Sequence, residues 1–163
     1  MNTQQAYLLL GSNLNDRRYS LKYATCQIQE KCGTILKKSA IYRSKAWGVT
    51  NQPDFLNQIL IIETQLAPRS LLESLLDIEQ QMGRVREIKW HSRLIDIDIL
   101  FFGEEVIDIP GLQIPHPRLA ERNFTLVPLM EIAPQFIHPT FAVTIEELYL
   151  RSADTLEVQM IEN

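Results

Sequence analysis

SRLIDIDILFFG, Ser92 to Gly103, sets an apolar run dense enough for a β-strand against two carboxylates and an arginine. Side chains alternate across a strand, so Asp96 and Asp98 share one face while Ile95, Ile97 and Ile99 share the other. The isoleucine face can enter a core. An ionised carboxylate buried without a partner costs several kcal/mol, so the acidic face must meet water, a cation or a ligand. A half-buried strand with a solvated acidic face is one outcome of the pattern, and a cation site is the other.

Outward from this strand, spacing alone organises the chain. Upstream, Leu71, Leu72, Leu75, Ile78 and Met82 recur at helical intervals behind Pro68, which suits a first helical turn, and Gly83 is placed to stop the helix. Ala6 to Leu10 reads as a first strand ending at Gly11-Ser12-Asn13. A helix then starts near Asn15 and Asp16 and carries Leu21, Ala24, Ile28 and Cys32 on one stripe as far as Gly33. Thr34 to Arg43 and Phe55 to Thr64 read as the second and third strands, joined by the turn-rich loop SKAWGVTNQPD. Downstream, Gly103-Glu104 predicts a hairpin returning the acidic strand through Glu105 to Ile109, and helices are expected around Ala120 to Glu131 and Ile145 to Arg151.

The order β-α-β-β-α-β is the split pattern of a ferredoxin-like fold, an α+β sandwich with a mainly antiparallel central sheet and helices packed on its faces. A single domain over 1–163 is expected, with a core over about 6–139 and a C-terminal helix and tail over 144–163. The stretch from Ser152 to Asn163 matches no motif.

Of the 163 residues, 45% are hydrophobic and 22% charged, proportions ordinary for a globular domain. No segment approaches the roughly 20 apolar residues of a membrane span. The opening MNTQQAYLLLGSN lacks the basic start of a signal peptide. Cys26 and Cys32 form neither a C-x-x-C nor a zinc pattern. A cytoplasmic monomer without membrane or nucleic-acid partners is therefore expected, and the net charge of −4 argues against a broad phosphate-binding surface. Charge is local instead. RVREIKWHSR, Arg84 to Arg93, sets three arginines and a lysine against Glu87, an island suited to an anionic small molecule.

Two carboxylates two residues apart on one strand lie about 7 Å apart at their α-carbons, near enough to converge on a pair of ions about 3.5–4 Å apart. Oxygen ligands without histidine or cysteine suit Mg²⁺, which completes its shell from water and substrate phosphates. Arg84, Arg86, Lys89 and Arg93 are donors for phosphate oxygens, the arginines bidentately. Metal and arginine together are the equipment of phosphoryl transfer, although a solvated basic loop accounts for the same residues. No Walker A loop is present. Gly11-Ser12 with Asp-Ile-Asp also fits the nucleotidyltransferases, but those place the two motifs on nearly adjacent elements, and here they lie far apart. A catalytically silent ligand-binding domain of the same fold is the non-enzyme alternative.

Five motifs in order, LLLGSNL, WGVTNQPDFLN, IEQQMGRVR, KWHSRLIDIDILFFG and IPHPRLAERNFTLVPLMEIAP, resemble the 6-hydroxymethyl-7,8-dihydropterin pyrophosphokinase family of folate biosynthesis over roughly Ala6 to Pro139. The resemblance implies that ATP donates its β,γ-diphosphate to the hydroxymethyl oxygen of the pterin, leaving AMP. It implies Asp96 and Asp98 as ligands for two Mg²⁺ ions, with Asp98 catalytic and Asp96 also facing the pterin substrate. Arg84 and Arg93 match catalytic arginines that neutralise the migrating diphosphate. Arg86, Trp90, Arg93, Ile99, His116 and Arg122 match ATP-side positions. Phe55 and Phe124 match the aromatics that stack on the pterin, and Asn57 the amide that reads its edge. Gly11, Ser44 and Trp47 complete the implied pterin site. Gly111 and Gln113 stand where some members carry an ATP-contacting arginine.

Overall fold

The structure, a computed structural model, describes residues 2–14, 16–45, 53–83 and 94–161. In chain order the elements are β1 (Gln4–Ser12), α1 (Arg17–Lys31), β2 (Thr34–Lys38), β3 (Tyr42–Ser44), β4 (Phe55–Thr64), α2 (Pro68–Gln81), β5 (Asp96–Phe102), β6 (Ile107–Ile109), β7 (Leu112–Ile114), a 3₁₀ turn (Leu119–Glu121), α3 (Asn123–Ile132), α4 (Ile145–Arg151) and β8 (Val158–Met160). The main sheet runs β5-β1-β4-β3-β8, with β2 also on β4. Every pairing in it is antiparallel. The last strand of the split unit thus lies beside the first, and the third separates the first from the second, as the β-α-β-β-α-β order requires.

Local chemistry explains where the helices begin and end. The Asp16 carboxylate accepts the Tyr19 N–H at 3.0 Å and caps α1. Pro68 occupies the first turn of α2, where its missing N–H is no loss, and Gly83 ends that helix at φ +84°, a conformation costly for other residues. Leu71, Leu75 and Ile78 point from α2 into a core shared with Leu21, Ala24 and Ile28 of α1 and with Leu8, Leu10, Leu60, Ile62, Ile97 and Ile99 of the sheet.

The opposite face packs Tyr7, Leu9, Ile59, Ile61, Leu100 and Phe101 against Leu126, Leu129, Ile145 and Leu148 of α3 and α4. Leu100 and Phe101 both turn to this second face because the β1–β5 register slips between Tyr7 and Leu8, and Phe102 then returns to the first. The bulge lets a continuous apolar run serve two cores while leaving the alternation of Asp96 to Ile99 intact.

The structure corrects four expectations. Thr34 to Arg43 is not one strand. Ser39 and Ala40 break it, because Glu131 of α3 accepts the Ala40 N–H at 3.0 Å and the Tyr42 hydroxyl at 2.7 Å, while the Ser39 hydroxyl takes the Ile59 N–H at 2.9 Å. The segment after Gly103 does not return along the acidic strand: β6 pairs with β7 in a separate two-stranded sheet around Pro110-Gly111. The helix expected from Ala120 is interrupted at Arg122, whose extended backbone (φ −127°, ψ 112°) separates the 3₁₀ turn from α3. The segment after Ser152 contains β8, which forms the outer edge of the sheet beside β3.

Candidate active site

Among the described residues, α3 and α4 are the helices packed on the second sheet face. At the end of the sheet where β1 finishes, the strands bring together residues far apart in the chain: Gly11 of β1 is paired with Asn57 of β4 on one side and with Asp96 of β5 on the other. Asn57 is in turn opposite Tyr42 of β3, and Phe55 opposite Ser44. Asp96 and Asp98 are half-buried, and Ile97 and Ile99 are buried behind them, as the alternation predicts.

Asn57 is 3% exposed, and its amide nitrogen donates to the Ser44 hydroxyl at 2.8 Å. That bond fixes the amide with its oxygen over Gly11. A Cβ at Gly11 would lie 3.1 Å from Asn57 Oδ1 and 3.5 Å from the Phe55 ring, so glycine keeps open the space beside a buried amide and an aromatic face. The approach to Phe55 is held from beneath. Arg17 of α1 donates to the Asp54 carbonyl at 2.6 Å, and Asn13 to the Pro53 carbonyl at 3.3 Å. Phe124, in the first turn of α3, is half-buried and carries the Arg122 guanidinium 5.4 Å from its ring centroid.

On the other side of Asp98, a cleft of about 570 Å³ is lined by Leu72, Ile97, Ile99, the β6–β7 hairpin and His116. His116 Nε2 lies 4.0 Å from Asp98 Oδ2. Its other ring nitrogen accepts the Arg118 N–H at 3.2 Å, which leaves the proton of the neutral ring on Nε2, facing the carboxylate. Burial first, then the cation of Arg122, lowers the His116 pKa from 6.5 to about 4, with Asp96 opposing. The ring is therefore a neutral donor at neutral pH. Burial also lowers the pKa of Arg122, and Asp98 opposes it. The β5 edge is itself secured: the buried Glu79 carboxylate of α2 accepts the Ile97 N–H at 2.6 Å, and Leu100 O accepts the His116 N–H at 3.0 Å.

Of the residues singled out from the sequence, Gly11, Ser44, Phe55, Asn57, Asp96, Asp98, Ile99, His116, Arg122 and Phe124 lie around this end of the sheet and its cleft. Trp47, Arg84, Arg86, Trp90 and Arg93 lie outside the described residues. Glu79, Asn13 and Arg17 were missed. Their partners are backbone groups from distant segments, and nothing local in the sequence marks such contacts. Among the described residues no group of three or more His, Cys, Asp or Glu side chains is placed to cage a metal. The pair Asp96 and Asp98 fits a hard cation that draws most of its shell from water and phosphate oxygens, the habit of Mg²⁺.

Comparisons with known proteins bear on the family and the fold. The sequence model of the family described as 7,8-dihydro-6-hydroxymethylpterin-pyrophosphokinase (HPPK) matches residues 7–134. Over 141 residues the chain is 43% identical to the 2-amino-4-hydroxy-6-hydroxymethyldihydropteridine pyrophosphokinase of Aquifex aeolicus, covering 86% of this chain and 88% of that one. With the Haemophilus influenzae protein of the same name it shares 41% over 150 residues, or 91% and 93% of the two chains. A crystal structure of wild-type Plasmodium falciparum HPPK-DHPS with pterin and p-hydroxybenzoate superposes with a TM-score of 0.72 at 21% identity. That match covers 93% of this chain but spans only 42% of the longer one, and it speaks to the fold.

Proposed function

The chain belongs to the 7,8-dihydro-6-hydroxymethylpterin-pyrophosphokinase family, and from that premise we propose how its sheet end performs pyrophosphoryl transfer from ATP to 6-hydroxymethyl-7,8-dihydropterin, a step of folate biosynthesis. The observation that carries the reading is the register: Asn57, Gly11 and Asp96 stand side by side on three adjacent strands. Adjacent strands are about 4.8 Å apart, so an amide suited to a heterocycle edge and a carboxylate suited to a cation lie about 10 Å from each other across a glycine. The acceptor's ring and the donor's phosphates then meet over Gly11.

In this reading the pterin lies between Phe55 and Phe124, its edge bonded by Asn57, whose orientation Ser44 sets. ATP places its nucleoside in the cleft of Ile99 and the β6–β7 hairpin and its phosphates toward His116 and Arg122. Asp96 and Asp98 hold two Mg²⁺ ions, which would screen the phosphate charge and lower the pKa of the attacking hydroxyl. His116 offers its Nε2–H to a phosphate oxygen without adding charge, and Arg122 adds charge. Arg84 and Arg93, assigned from the family motifs alone, neutralise the diphosphate as it leaves AMP; Arg86, Trp90 and Trp47 are assigned the same way to ATP and pterin. The hydroxymethyl oxygen attacks the β-phosphorus in line, the bond from that phosphorus to the α,β-bridging oxygen breaks, and AMP departs. The chain acts as a cytoplasmic monomer in this proposal; among the described residues no helix is long and apolar enough to cross a membrane.

Nucleotide analysis after incubation with Mg·ATP and the pterin alcohol tests the reading. AMP in a one-to-one ratio with pterin diphosphate is expected. ADP or free pyrophosphate as the main product would overturn it. Asp98→Ala should reduce turnover more than tenfold, and a smaller loss would remove Asp98 from the metal role.

A further inference from the structure

The segment from Ser152 to Ile161, which lies beyond the matched residues 7–134, is bonded into the site from outside. The Asp154 carboxylate accepts the Asn123 N–H at 2.8 Å, and the Asp154 carbonyl accepts the Asn123 side-chain amide at 3.1 Å. Asn123 is the first residue of α3, and Arg122 before it supplies no side-chain cap. The acceptor that a helix start requires therefore comes from a different part of the chain. Asp154 is itself held in place. Its second carboxylate oxygen takes the Leu156 N–H at 3.0 Å, and its own N–H reaches the Ser152 hydroxyl at 3.2 Å.

A few residues on, the same segment becomes β8. Val158 lies opposite Ser44 and Met160 opposite Tyr42, and the Ile161 N–H bonds the Ile41 carbonyl at 3.0 Å. One short segment thus grips two backbones: the first turn of α3, which carries Phe124, and β3, which carries the Ser44 hydroxyl that orients Asn57.

We propose that residues 152–161 form a clasp that positions the pterin half of the site, with Asp154 as its positioning residue. The inference rests on the pterin reading of Phe55, Asn57 and Phe124. Without the Asp154 carboxylate the first turn of α3 has an orphaned N–H and loses a favourable charge at its positive end, so it frays. Phe124 frays with it. Only the ordered fraction then binds pterin, and the apparent dissociation constant rises by the reciprocal of that fraction. The cleft assigned to the nucleoside is lined by α2, β5, β6, β7 and the turn at His116, and is built without α3 or β8, whereas Arg122 on the phosphate side is the N-cap residue of α3. Binding of AMP, whose nucleoside fills that cleft and which lacks the β- and γ-phosphates, serves as the internal control.

The test measures pterin and AMP dissociation constants for the full chain and for Asp154→Ala, Asp154→Asn and Asn57→Ala, the pterin constants at a saturating inert Mg·ATP analogue. Asp154→Ala should weaken pterin about fivefold, the size of one lost helix cap, with nucleotide affinity changed less than twofold. Asn, itself a good cap, should restore pterin affinity to within about twofold of the unaltered chain. Amide exchange over residues 123–126 should quicken in the Ala variant and not in the Asn variant. Equal weakening of both ligands would show a general structural role and overturn the proposal. So would unchanged pterin affinity in Asp154→Ala while Asn57→Ala loses it. If Asn57→Ala bound pterin normally, the pterin reading itself would fail, and the clasp with it.

Discussion

Gly11 is the position where a single added carbon is most informative. The new methyl of Gly11→Ala would press Asn57 Oδ1 at 3.1 Å and touch the Phe55 ring. Asn57 has little room to yield, because Ser44 holds its other end. The variant should bind pterin about tenfold more weakly, a loss of about 1.4 kcal/mol, with its unfolding midpoint nearly unchanged. Titration calorimetry beside urea unfolding checks this, and normal pterin affinity would place the substrate elsewhere. His116 supplies a second residue-scale prediction. Its folded pKa of about 4 lies below the ordinary 6.5, so the folded state binds that proton less readily than the unfolded chain. The stability tied to its neutral form is complete above about pH 6.5 and is lost as pH falls toward about 4. Burial of His138 acts in the same direction. In ligand-free protein the urea midpoint should fall over this window, and His116→Gln should flatten the fall. Superposable pH profiles would contradict the assignment. Asp96 and Asp98 were legible because alternation on one strand is local, whereas Glu79 and Asp154 were hidden because each serves a backbone group supplied by another element.

At the scale of elements, α2, α4 and β4 were readable to within a residue or two, since caps, apolar period and β-branched runs all agree there. Pairing was harder to read. A glycine turn after β5 looks like a hairpin, but the β5 edge is already occupied by Glu79 and by the His116 segment, and β6 finds β7 instead. The break between β2 and β3 depends on Glu131, an acid from a helix 91 residues away. Glu79 makes the matching prediction. Removing its carboxylate leaves the Ile97 N–H buried and unpaired between Asp96 and Asp98, so Glu79→Ala should cost about 2–3 kcal/mol of stability. It should also lower turnover, because β5 loses its outer support. Denaturant unfolding and initial rates check both, and a stability loss under about 0.5 kcal/mol, the range of an ordinary surface substitution, would show that the bond is dispensable.

On the scale of the whole molecule, one sheet serves two purposes. Its two faces pack against helices and bury the apolar side chains that hold the chain together. At one end of the sheet three antiparallel strands deliver a glycine, an amide and a carboxylate in one row. The ferredoxin-like order was visible in the sequence as a succession of elements. The site was visible only as scattered motifs, whose convergence is a property of strand register. In the proposed mechanism Asp96 and Asp98 face outward because cations shared with a nucleotide's phosphates would neutralise them. A crystal structure with magnesium and an inert ATP analogue measures this directly. Two magnesium ions are expected between that pair and the phosphates, with the nucleoside in the cleft beside Ile99 and His116. Hydrated, ion-free aspartates with the nucleotide bound elsewhere would contradict it.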